Sequence, residues 1–212
     1  IPEWFYSGYH LQGQDFRVDT LLVNDMKKLG DKRLETSVTE GYWDITEHGF
    51  TPEDSAKHYK ERCMMIKYLV KDNTNKTIKA WNDYPLNFPI LRPADAYLLY
   101  AEALINNNKA SQAKEWIDAI RQRADLSPLD HVPTMDDVMD ERRYEFIGEG
   151  KRYFDLVRMG KDTFVSTLKN FSDHYEHVTK MGANNPSEKD LLLPIPLTVM
   201  NIQASWTNNP GY

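Results

Sequence analysis

Thiol chemistry is nearly absent from this chain: Cys63 is the only cysteine among 212 residues, which excludes an internal disulfide and any thiolate cluster around a metal. Long apolar runs are missing as well. The nearest, residues 191–197, carries Pro194 and Pro196 and falls far short of the roughly 20 residues that a membrane helix needs. Positive charge is never in excess, because the net charge is -6 and the basic residues are scattered among acids; nucleic acid and acidic polymers are therefore poor partners. No glycine-rich phosphate loop, nucleophile elbow or dinucleotide fingerprint occurs, so the sequence names no cofactor. The opening "IPEWFYSGYH" has no initiator methionine, basic stretch or apolar stretch of a leader, and the expectation is a piece of a longer protein.

What is present is apolar and aromatic: 41% hydrophobic and 12% aromatic residues are enough for a sizeable core in one domain or two small ones. Residues 1–90 read as loops carrying rings, with a short helix over 20–29 stopped by Gly30, a short helix opening at Thr51–Pro52, and the strand-like "MMIKYLV" at 64–70. From Pro93 the pattern becomes helical. The spacing predicts a helix from Pro93 to about Ile105, a polar break "NNNK", and a second helix from about Ser111 to Ala124. Tyr97, Tyr100, Ala101, Leu104, Ala113 and Ile117 fall where a tetratricopeptide repeat places its large and small residues. One such hairpin does not bury its own face, so stacking partners are expected upstream of Ile1.

Residues 139–160, "MDERRYEFIGEGKRYFDLVRMG", concentrate opposite charges beside aromatics. Arg142, Glu145, Glu149, Arg152 and Asp155 recur at helical steps and would share one face of a helix. Gly148 and Gly150 interrupt it, marking either a helix break or a close approach of another backbone. The aromatics on both sides favour a partly buried ion-pair network over a solvated face. Another short helix is expected over 161–171, followed by a largely extended tail with a turn or two of helix around "LTVMNI".

Carboxylates at helical spacing raise the question of glycoside hydrolysis. Glu141, Glu145 and Glu149 each have an arginine within four residues, which favours permanent ionisation and works against a proton donor near neutral pH. His174 and His177 lie beside Asp173 and Glu176, but no third ligand follows from the spacing, and surface histidines are the better reading, with no metal. The five tryptophans and twelve tyrosines exceed what a small helical core needs. Rings on loops are recognition material that can stack on the C–H faces of sugars. Trp4, Tyr6, Tyr9, Trp43, Trp81 and Tyr84 are the candidate ligand-binding rings; core packing beneath long loops is the competing reading.

Four stretches in order carry a resemblance to a known family: "GDKRLETSV" at 30–38 as a D-x-R segment, "ILRPADAYLLYAEALI" as an arginine-led helix, "DERRYEFIGEGKRYFDLVRMGK" as a signature of acids, arginines and glycine, and "LLLPIP" with "NNPGY" as terminal elements. The chain resembles the SusD/RagB family of outer-membrane nutrient-binding lipoproteins. Pro93 and Ala94 after the arginine, and Asn208 in place of a glutamine, depart from the family pattern. The resemblance implies a mostly α fold, with a tetratricopeptide-like hairpin, signature helices, long aromatic-rich loops and few short strands. Residues 1–90 would be the loop-rich ligand-binding part and 91–212 a helical scaffold with an extended tail, both within the C-terminal portion of a longer protein. It also implies non-catalytic capture of oligosaccharide at the cell surface and delivery to a SusC-like TonB-dependent transporter, with membrane attachment only through a lipid anchor upstream. Arg92, Glu102, Glu141, Arg142, Glu145, Glu149, Arg152, Asp155 and Arg158 would form a structural network. Three alternatives stay open: a SusD-like binder of peptide or another nutrient, a glycoside hydrolase, and a tetratricopeptide-type adaptor.

Overall fold

The computed structural model describes residues 17–40, 63–65, 67, 89–174, 186–203 and 205–212. The chain divides into two compact units, Ile1–Gly150 and Lys151–Tyr212. That division follows packing, whereas the boundary at 90/91 separates loop-rich from helical sequence. The rings at Trp4, Tyr6, Tyr9, Trp43, Trp81 and Tyr84, and the helix expected at Thr51, lie outside the described residues.

In the first unit, β1 (Arg17–Val18) leads into α1 (Thr20–Leu29). The Asp19 carboxylate accepts from the Leu21 amide at 2.9 Å and satisfies one free donor of the first turn. Gly30 ends the helix at φ 70, and the Gly30 and Asp31 amides donate back to the Lys27 and Met26 carbonyls. This paired closure needs a left-handed residue, which glycine supplies without strain. Helix α2 (Arg33–Ser37) and β2 (Val38–Glu40) follow. β3 (Cys63–Met65) lies between β1 and β2 in an antiparallel sheet, with Val18 and Glu40 both opposite Cys63. Val18, Leu22, Val23, Met26, Val38 and Cys63 bury themselves with Tyr144 and Ile147, so the sheet and α1 form one core with the end of a distant helix.

That distant helix belongs to a helical layer. α3 (Pro93–Asn106) starts with proline in its first turn, where no amide partner is lost, and α4 (Ala110–Arg123) runs back along it. Ala101, Ala113 and Ile117 are wholly buried and Leu104 nearly so. The outer side of α3 presents Tyr97 and Tyr100, which meet Trp116 edge-to-face at 5.0 and 5.1 Å between ring centres. α5 (Met135–Glu145) packs against both helices.

The first turn of α5 is closed by a reciprocal cap between Thr134 and Asp137. His131 reaches the same place, with Nδ1 2.8 Å from Asp130 and Nε2 3.1 Å from Asp137. Hydrogen bonds to Asp130 and then to Asp137 raise the imidazole above its ordinary pKa. Burial pushes Asp137 up, but its bonds from Thr134 and His131 outweigh this and hold it low. A folded pKa above the unfolded one means that the His131 contribution is complete below the unfolded value and is lost as pH rises through the folded one. The Asp137 contribution has the opposite sense and is lost as pH falls through its depressed value. Nuclear magnetic resonance titration of the His131 ring is expected to give a midpoint above the ordinary histidine value, lowered by Asp130→Asn. A midpoint at or below the ordinary value would refute the clamp.

After Glu145 the helix stops. Gly148 and Gly150 adopt φ of 75 and 69, a region that side chains disfavour, so residues 139–160 are not one helix with a single charged face. The spacing that placed Arg142, Glu145, Glu149, Arg152 and Asp155 on one stripe assumed helical backbone across both glycines. Instead Arg152 and Asp155 belong to α6 (Arg152–Arg158), in the second unit.

In the second unit α6 precedes α7 (Lys161–His174), a 3-10 turn (Glu188–Leu191) and the one-turn α8 (Leu197–Met200). His174 ends α7, and His177 lies outside the described residues. Arg158 donates to the buried Asp155 at 2.8 Å. The tail is tied down by side chains acting as strand partners. Asn208 accepts from the Ile195 amide and donates to its carbonyl at 2.8 and 3.3 Å, and Asn209 donates to Leu193 at 2.6 Å. Tyr212 donates to Asp190 at 3.2 Å while Lys189 sits over its ring, so "NNPGY" closes on "LLLPIP".

Candidate functional site

The described part of the first unit centres on three glutamates of the signature segment. Glu141 and Glu145 lie one turn apart on one side of α5, and Glu149 follows in the glycine turn. All three side chains are almost fully buried. Burying a carboxylate is costly unless it is paired and hydrogen-bonded, and the pairing here comes from four separate stretches.

The first stretch is Asp31-Lys32-Arg33. The Asp31 carboxylate accepts from the Arg33 amide at 2.9 Å and grips its guanidinium at 2.5 Å, fixing the side chain. Arg33 then reaches Glu141 at 2.7 Å and Glu145 at 3.0 Å. Burial alone would lower the Arg33 pKa, but its bonds to Asp31 and the charge of Glu141 hold it above the ordinary arginine value. The second is Arg92, in extended backbone immediately before α3. It donates to Glu149 through Nε at 2.8 Å and Nη2 at 2.6 Å, to the Glu145 carbonyl at 2.8 Å, and to the Glu145 carboxylate. The third is Lys67, whose ammonium donates to Glu149 and to the Glu145 carbonyl, both at 2.6 Å. Burial lowers its pKa, against the pull of Glu149. The fourth is the end of α4, from which Arg121 approaches Glu141 at 3.4 Å and Arg123 pairs with Glu145.

Electrostatically the glutamates differ. Burial raises Glu145, but its bonds from Arg92 and Arg33 win and hold it below the ordinary range. Burial leads at Glu141 and pushes it up, with Arg33 and Arg121 opposing. The Arg92 and Arg142 guanidiniums each lie over the Phe146 ring, 4.7 and 4.9 Å from its centre, adding cation–π attraction. Arg142 itself meets Asp95 of α3 at 2.8 Å, both buried. Among the described residues no group of three histidine, cysteine or acidic side chains is placed to hold a metal ion.

The structure thus brings together Arg92, Glu141, Glu145 and Glu149, and pairs Arg142 with Asp95 and Arg158 with Asp155. Glu102 is half-buried on α3, about two turns beyond Asp95, and Arg152 is half-buried at the start of α6. Sequence reasoning missed Asp31, Arg33, Lys67, Asp95, Arg121 and Arg123 as partners. Asp31 and Arg33 had a signal, the D-x-R pattern just after a helix-ending glycine; Lys67 had none.

The SusD family profile matches residues 4–212. The starch-binding protein SusD of Bacteroides thetaiotaomicron is 32% identical over 162 residues, covering 75% of this chain and 28% of that protein. Among solved structures, surface glycan-binding protein A from Bacteroides uniformis superposes with a TM-score of 0.62 at 28% identity, over 84% of this chain and 37% of that one. Surface glycan-binding protein A from Bacteroides thetaiotaomicron in complex with laminarihexaose superposes with a TM-score of 0.58 at 25% identity, over 84% and 38%. The chain therefore spans well under half the length of these relatives. With the profile covering nearly all of it and a mostly helical fold, the chain belongs to the SusD family.

Proposed function

We propose that this chain is part of a cell-surface protein that binds a neutral oligosaccharide without chemistry and delivers it to a SusC-like TonB-dependent transporter in the outer membrane. The observation that carries the reading is the family membership, together with relatives named for starch or glycan binding, one of them holding laminarihexaose. The site geometry supports it from the other side. Glu145, the most heavily paired acid, is held ionised by Arg92 and Arg33, the wrong state for a general acid. Among the described residues no helix is long and apolar enough to cross a membrane; attachment through a lipid anchor elsewhere in the protein is part of the proposal. The network of acids and arginines is then scaffold, and Trp4, Tyr6, Tyr9, Trp43, Trp81 and Tyr84 are the rings proposed to stack on sugar, each contributing on the order of 1 kcal/mol.

Calorimetric titration with laminarihexaose and maltohexaose at low and high salt tests this. Saturable binding that ignores salt and weakens in Trp43→Ala is the expected result, because stacking on a neutral ligand is not screened. Release of new reducing ends would replace the reading with a glycoside hydrolase. Binding of neither sugar, with retention of a peptide, would move the ligand to another nutrient class.

A further inference from the structure

We propose that residues 193–195 form a strand-pairing edge whose partner is the same segment of a second copy, and that Asn208 and Asn209 keep that edge closed. The backbone is extended on either side of it, at Leu192 (φ -120, ψ 126) and Pro196 (φ -54, ψ 136). Leu193 and Ile195 each precede a proline, which biases them to extended backbone as well. Successive residues of an extended chain offer their amide and carbonyl to opposite edges. Along one edge lie Pro194 and Pro196, which have no N–H to give. Along the other lie Leu193 and Ile195, and there the closing side chains sit. Asn208 accepts from the Ile195 amide at 2.8 Å and donates to the Ile195 carbonyl at 3.3 Å, the same two bonds that a residue of a facing antiparallel strand exchanges. Asn209 donates to the Leu193 carbonyl at 2.6 Å.

The 3-10 turn holds this closure in place. Gly211, at φ 92, passes so near Lys189 that a side-chain carbon there would stand 2.8 Å from the Lys189 Cβ. Lys189 covers the Tyr212 ring at 4.8 Å, and Tyr212 donates to Asp190 at 3.2 Å. The excluded partner follows from the segment itself. Across a two-fold axis Ile195 would meet its own copy as a hydrogen-bonded pair, each giving one amide and taking one carbonyl, so the edge is complementary to itself. Residues 191–212 contain no acidic, basic or histidine side chain, so two copies would not repel each other there. Leu192 and Leu193, beside the edge, are 56% and 66% exposed. Free strand edges are blunted by charge, proline or a covering segment; this one has proline on one side and side-chain amides on the other.

The test uses the full-length protein with Asn208→Ala, Gly211→Ala and Asn208→Ala/Ile195→Pro. Mass is followed by light scattering over a wide range of protein concentration, and hydrogen exchange over residues 191–197 by mass spectrometry. Asn208→Ala is expected to speed that exchange by about tenfold in dilute solution, as the loss of a net hydrogen bond would. Its mass is expected to rise toward twice the wild-type value as concentration rises, with exchange slowing again as the edge pairs. Gly211→Ala, which lifts the tail and keeps both asparagines, is expected to show the same pattern more weakly; it carries the test if Asn208→Ala does not fold. Asn208→Ala/Ile195→Pro is expected to keep the wild-type mass, because the amide that a second copy needs is gone. Wild-type exchange in both single variants would overturn the closure. Fast exchange at wild-type mass across all concentrations, even where the opened edge retains an added extended peptide, would overturn the second copy as partner. A mass that still doubles in the Ile195→Pro variant would place association on the apolar side chains and overturn the edge.

Discussion

Glu145→Ala is expected to cost about 3–5 kcal/mol of folding stability, the largest effect of any single side chain in the described network. Glu145 is 2% exposed and accepts from Arg33, Arg92 and Arg123 through its carboxylate. Truncation removes the shared anion and leaves the two inner guanidiniums with one partner fewer in a site that water scarcely reaches. Arg33 keeps Asp31 and Glu141, and Arg92 keeps Glu149, which holds the loss to the cited range and not beyond it. Glu145→Gln keeps the shape and two lone pairs but not the charge, and is expected to recover part of the loss. The acid limb of the stability profile gives a second check. Because the folded pKa of Glu145 lies below its ordinary value, its contribution is complete above the unfolded value and disappears as pH falls through the folded one. Urea unfolding of wild type and Glu145→Ala across that range should converge at the acid end. A difference of under 1 kcal/mol at neutral pH would show that the pairs merely balance their own desolvation.

Arg123 marks the limit of this argument. Its side chain is more than half exposed, so solvent screens its pairing and Arg123→Ala is expected to change little, within the range of surface pairs. The energy resides in the inner cations, a distinction that no count of ion pairs would make.

What the sequence revealed and what it concealed divide along chain separation. α1 was legible residue for residue because its signals are local: Gly30 after it, and apolar Leu22, Val23 and Met26 on one side. The α3–α4 hairpin was legible for the same reason, within a residue at each end, from Pro93, the asparagine break and the small residues Ala101 and Ala113. β1 and β2 were not, since elements of two or three residues are too short to show an alternation, whereas the strand expected from residue 64 overlaps β3. The signature segment was half legible. Its charge and aromatic content pointed to a buried network, yet the partners of its glutamates lie 53 to 112 residues away for Arg92 and Arg33, distances over which local spacing carries no information. Reading Arg152 and Asp155 onto the same face as Glu145 failed because the two glycines turn the backbone between them.

Gly148→Ala should separate a steric role for that turn from a merely conformational one. Gly148 and Gly150 have nearly the same positive φ, 75 and 69, so the penalty for placing a side chain in left-handed backbone, about 1–2 kcal/mol, applies to both. Their surroundings differ. Nothing lies within 4 Å of a carbon built on Gly150, whereas one on Gly148 would meet the Met65 sulfur at 1.7 Å and its methyl carbon at 3.0 Å. The Met65 side chain can swing, but it packs against the core of Val18, Met26 and Cys63, so moving it adds a repacking cost of about 1–3 kcal/mol. Gly150→Ala is therefore expected to lose only the backbone term, and Gly148→Ala to lose both. Met65→Ala removes the obstacle at its own cost, so in Gly148→Ala/Met65→Ala the two losses should combine to less than their sum, a coupling that a double-mutant cycle reads directly. Equal losses for the two glycines, with additive behaviour at Met65, would mean that the close approach of Met65 to the turn has no energetic consequence.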